Sequence, residues 1–121
     1  METGGVHERI EELAEESQRY RAEGFYFVLR SIEHCRRRLQ RTGHVTGPEL
    51  LESSRQLAVE EFGPMAKSVL NHWGIESTED IGRIVFLMVD NGLLSKTDED
   101  ALDDFRNGFD FETEFVRKYR W

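Results

Sequence analysis

The run from His44 to Thr97 constrains this chain more than any other part of it. It reads HVTGPELL, FGPM, NHWGI, STEDIGRIVF and NGLLSKT, so helix starts, helix stops and apolar stripes alternate over about half the protein. Thr46-Gly47-Pro48-Glu49 is a start signal. The Thr46 hydroxyl can cap an orphan N–H, Pro48 suits the first turn, and Glu49 can complete a capping box. Leu50, Leu51, Leu57, Ala58 and Phe62 form the apolar side of that helix, and Gly63-Pro64 ends it. A short helix then carries Met65, Val69, Leu70 and Trp73, with Gly74 in the left-handed stop position. Ser77-Thr78-Glu79-Asp80 is a second start signal, before Ile81, Ile84, Val85, Met88 and Val89, and Gly92 stops that helix. IVFLMV has strand propensity, but its flanking cap and stop and its length favour a helix. Phe86 falls opposite the main stripe, so it is either covered by another element or an exposed aromatic for a partner.

Two helices precede this run. Val6, Ile10, Leu13 and Ala14 recur at helical spacing among glutamates, an amphipathic helix of about four turns. Tyr20 closes it near Gly24. A second helix runs from Gly24 to Gln40, with Phe25, Val28, Leu29, Ile32, Cys35 and Leu39 on one stripe. Arg30, His34, Arg37 and Arg41 lie on the other side. The RRRLQR cluster favours the helix C-terminus through the macrodipole, and Thr42-Gly43 is the stop. After Gly92, Leu93–Lys96 and Phe109–Phe111 read as the two strands of a hairpin. The acidic TDEDALDDFRNG between them is its tip, or a short helix capped at Thr97. Phe111, Phe115 and Tyr119 have helical spacing in a last helix. Six of the thirteen aromatics fall in residues 105–121, so this segment, Trp121 included, should dock on its own domain or on a neighbour.

Helix, helix, tight turn, helix and strand-loop-strand is the element order of a winged helix. The blocks HVTG-ELL, FGPM, Trp73-Gly74, Asp80 with Gly82, IVF, LLSKT and DF…FDFE are similar to a small family of bacterial conserved hypothetical proteins. The resemblance covers roughly Phe25 to Phe115. Other members tend to have Gln at the position of Pro48 and Phe at that of Ile81, and neither departure disturbs a cap or the core. The family has no assigned activity, so the resemblance implies no catalytic residue.

Charge narrows the partners. The net charge is −8. Residues 20–46 hold six Arg against two Glu, while residues 76–114 hold twelve acids against three bases. The acidic half repels phosphates and speaks against nucleic acid, since the face of a recognition helix would offer Glu79, Arg83, Phe86 and Asp90. No apolar run approaches the ~20 residues that span a bilayer, and the N-terminus lacks an apolar signal core, so a cytoplasmic protein is expected. One cysteine, Cys35, excludes an intrachain disulfide or a thiolate cage.

Most site chemistries fail on spacing. An EF-hand starting at Asp98 would need an oxygen ligand at Leu102 and glycine at Asp103. His7, His34, His44 and His72 form no local metal motif, although His44 and His72, beside a cap and a turn, form a candidate polar site if they converge. No G-x-S-x-G, Walker A or G-x-G-x-x-G occurs, and no cofactor is expected.

The expected architecture is mainly α, with five to six helices, a winged-helix-like core and one small β-hairpin. Residues 1–5 form a flexible tail and 6–121 one domain. Within it, 6–42 are an N-terminal helical pair, 46–111 the winged-helix-like core and 112–121 a C-terminal aromatic helix. The leading functional reading is a non-enzymatic protein-interaction module, with a protein partner or a second copy of itself. Its candidate contact residues are Arg30, Arg37, Arg41, Phe86, Phe111, Phe115 and Trp121. One alternative is a nucleic-acid-binding regulator using Arg30, Arg36, Arg37, Arg38 and Arg41. Another is a small enzyme around His44 and His72.

Overall fold

A computed structural model describes residues 3–95, 102–106 and 108–118. The molecule is mainly helical. Its helices are α1 (Thr3–Ser17), α2 (Ala22–Leu39), α3 (Gly47–Phe62), α4 (Ala66–His72) and α5 (Thr78–Asp90), with short helical turns at Gly63–Met65, Leu102–Phe105 and Thr113–Arg117. Helix α1 starts at Thr3, inside the segment expected to be a tail.

The punctuation of the central run largely works as its residues dictate. Thr46 Oγ1 accepts from the Glu49 N–H at 3.3 Å, and the Glu49 carboxylate accepts from the Thr46 N–H at 2.9 Å, a complete capping box. Gly63, Gly74 and Gly92 all take positive φ at helix ends. Two details differ. Helix α2 stops at Gln40, which is left-handed with φ 55°, rather than at Thr42-Gly43. At α5 the Ser77 side chain does not cap. Asp80 instead reaches back past it, and its Oδ2 accepts from the Glu76 N–H at 2.8 Å.

Helix α2 is the centre of the core. Phe25, Phe27 and Val28 are fully buried on it, and α1, α3 and α5 pack around it. Between α1 and α2, and between α4 and α5, the connections meet backbone to backbone. The Arg21 N–H donates to the Trp73 carbonyl at 3.1 Å, and a Cβ on Gly74 would lie 2.1 Å from the Arg19 carbonyl oxygen. Gly74, at φ +94°, is required there both by conformation and by space.

The expected hairpin is not formed: no strand occurs among the described residues. On one side, the Leu93 N–H turns back to the Met88 carbonyl at 2.8 Å, which folds Leu93 over the end of α5 instead of extending it. On the other, Asp110 acts as a helix start. Its Oδ2 accepts from the Thr113 N–H at 2.9 Å, and its carbonyl from the Glu114 N–H at 2.9 Å. Lys96 and Thr97, and with them a helix capped at Thr97, lie outside the described residues.

The segment after the gap is held by one side chain. Thr78 Oγ1 donates to the Phe105 carbonyl at 2.6 Å and accepts from the Gly108 N–H at 3.1 Å. Phe105 lies against Gly82, where a Cβ would come within 2.6 Å of its ring. Beyond it, Phe109, Phe111 and Phe115 form an aromatic cluster with centroids 5.2–5.7 Å apart.

Candidate functional site

The second half of α2, the connection 43–47, the start of α3 and the second half of α5 enclose a cleft of about 510 Å³. Its walls are apolar: Ile32, Val45, Leu50, Val85, Phe86, Val89, Leu93, Leu94 and Phe105. Arg36, His44, Thr46 and Ser95 are its polar groups. Size and lining are those of a ligand site. Arg36 also borders an adjoining shallow groove with Glu33, Arg37, Gln40, Arg41 and Thr42, so a rim with three arginines and one carboxylate continues from the apolar walls.

The described lining of the cleft offers few groups for acid–base or nucleophilic chemistry. It contains no carboxylate and no thiol, and the Arg36 guanidinium cannot serve as a base. The Thr46 hydroxyl is committed to the α3 cap.

The residues singled out from the sequence separate into three groups. Phe86 and His44 come together in the cleft, and Phe86 is half-buried and covered edge-on by Phe105 at 6.3 Å. Phe111 and Phe115 are core side chains, 4% and 1% exposed, and so are not contact residues for a partner. The aromatic segment docks on its own domain, with Glu114 near Arg55 and Glu112 near Lys67. Trp121 lies outside the described residues. Arg30 is clamped by Glu61 through two hydrogen bonds of 2.9 and 3.0 Å, and Arg41 pairs with Glu49. Arg38 donates to Ser53 and to the Glu49 carbonyl, and Arg36 to the Gly43 carbonyl. Arg37 is exposed and makes no side-chain hydrogen bond or ion pair among the described residues.

His44 and His72 do not converge. His44 follows the C-terminal end of α2, whereas the His72 carbonyl accepts from Arg21 at the N-terminal end. The 18 residues of α2 separate these ends by about 27 Å. A catalytic pair of these imidazoles is excluded.

A polar centre absent from the sequence reading lies between α1 and α5. Asp80, 1% exposed, accepts from the Tyr20 hydroxyl at 2.5 Å and pairs with Arg19 at 2.9 Å and Arg83 at 3.1 Å. Burial works against the Asp80 charge, but Tyr20, the Glu76 amide and the two arginines together hold its pKa below the usual carboxylate value. Burial, then the hydrogen bond to Asp80, pushes the Tyr20 hydroxyl up to about 12. Both groups are thus fixed in their ordinary protonation states at neutral pH, which suits a structural lock and not proton transfer. Tyr20 and Asp80 stand 60 positions apart. Asp80 occupied a cap position in the sequence and Tyr20 a helix end, and each explanation hid the pair.

Among the described residues no group of three or more His, Cys, Asp or Glu side chains could hold a metal ion, and no helix is long and apolar enough to cross a membrane. No family model, curated protein or solved structure matches the chain.

Proposed function

We propose that this chain is a non-enzymatic protein-interaction module acting in the cytoplasm, with the cleft between α2 and α5 and its basic rim as the contact surface. The observation that carries the reading is the cleft itself: about 510 Å³ of mostly apolar wall open beside Arg36, with no carboxylate in its described lining. Burial of Phe111 and Phe115 moves the contact surface away from the C-terminal segment. The scaffold retains the element order α3, α4, tight turn, α5, and this order supports a winged-helix-like core lacking a hairpin wing. The resemblance to bacterial conserved hypothetical proteins stays part of the proposal and adds no site residue.

Photo-crosslinking tests it. A photoreactive amino acid at Val89, on the cleft wall, is expected to give a defined protein adduct in cell extract that excess unmodified chain competes away. The same probe at Glu8, on the exposed face of α1, serves as the control. No competable adduct at Val89, together with turnover in a broad activity screen, would overturn the reading.

A further inference from the structure

We propose that the partner of the cleft is a short acidic peptide segment carrying one aromatic or branched aliphatic anchor, an inference that rests on reading the cleft as an interaction surface. The anchor enters between Val85, Val89 and Leu50, which line the apolar walls. The carboxylates meet the rim formed by Arg36, Arg37 and Arg41 in the adjoining groove. Arg41 already pairs with Glu49, and Arg36 spends its Nε on the Gly43 carbonyl. Arg37 has no partner among the described residues, and Arg36 keeps terminal N–H groups beyond its 3.8 Å approach to Glu33. A guanidinium pair open to solvent beside an apolar slot recognises a carboxylate next to an apolar side chain.

The chain shows the same chemistry on itself. Phe105 comes from the acidic stretch Asp103-Asp104-Phe105 and seats at the edge of this cleft, edge-on to Phe86, with its carbonyl held by Thr78. An aromatic presented by an acidic segment is therefore already accepted between α3 and α5. Among the described residues nothing fills the slot beside Arg36, and a partner supplies the second such segment.

Selection of short random peptides displayed on phage against the full chain tests the proposal, followed by titration of labelled winners against wild type, Arg37→Glu and Val89→Glu. Circular dichroism checks each fold, and Arg37→Glu, at an exposed site, keeps the test decisive if Val89→Glu is unstable. Winners are expected to cluster Asp or Glu around one Phe, Leu, Ile or Trp, and to lose about tenfold in affinity with either variant and with added salt. Apolar winners without acidic residues, lost on Val89→Glu but indifferent to Arg37→Glu, would overturn the acidic partner and leave the interaction reading standing. No enrichment over the Val89→Glu chain would overturn both. Single-stranded RNA or duplex DNA bound by the wild type and lost on Arg37→Glu, with Val89→Glu unaffected, would replace the peptide with nucleic acid.

Discussion

Asp80 is the residue on which the polar centre between α1 and α5 depends. Removing its carboxylate in Asp80→Ala leaves the Tyr20 hydroxyl and the Glu76 amide without their acceptor, while half-exposed Arg19 and Arg83 keep their approaches to Glu76 and Glu79. A loss of about 1–3 kcal/mol in urea unfolding is expected, the range for leaving buried donors unsatisfied. Tyr20→Phe removes one donor and keeps both arginines, so about 1–2 kcal/mol is expected. The pH dependence has a defined sign. The Asp80 pKa is depressed, so its contribution is present above the usual carboxyl value and is lost as pH falls through the lower folded one. Tyr20 is raised from 10.0 to about 12, so its contribution is whole below pH 10 and is lost as pH rises toward 12. The difference in stability between wild type and Tyr20→Phe should shrink across that alkaline window. A constant difference would remove the hydroxyl from the account. None of this was legible beforehand, because a pair 60 positions apart leaves no local pattern.

Elements, by contrast, were legible wherever their ends are coded by neighbouring residues. Helix α3 begins where Thr46 and Glu49 exchange hydrogen bonds, and Thr46→Ala should cost about 1 kcal/mol in thermal unfolding. The hairpin failed as an expectation because alternation in FDF competes with a cap. Asp110 had a helix-starting hydrogen bond available at Thr113, and the ladder lost. Two changes at α5 test how the 102–118 segment is held. Gly82→Ala drives a methyl into the Phe105 ring, and overpacking of this kind costs about 1–3 kcal/mol. Thr78→Val deletes the hydroxyl shared by Phe105 and Gly108, so faster amide exchange is expected in residues 105–115 than in α2. Equal exchange in both regions would show that the aromatic cluster holds the segment without Thr78.

At the scale of the whole molecule, charge segregation was readable from composition, but its use was not. The block of arginines looked like a free surface, and much of it is tied to α3 through Glu61, Glu49 and Ser53. The cleft could not be read in advance, since His44 and Phe86 become neighbours only when α5 packs beside the end of α2. Distant parts of the chain are also joined: Arg9 of α1 donates to Asn91, 82 positions away. The turn at Gly74 carries a consequence for how this chain can vary. Surface connections ordinarily absorb extra residues at small entropic expense. Here the turn after α1 and the turn after α4 touch main chain to main chain, at Arg19 and Gly74 and at Arg21 and Trp73. Neither turn can lengthen without parting the other, so their lengths are locked together. The connection around Gly43 has room for an added Cβ, but the Gly43 carbonyl holds Arg36 and its residues wall the cleft, so a change of length there would be felt in the cleft and not where the turns after α1 and α4 meet.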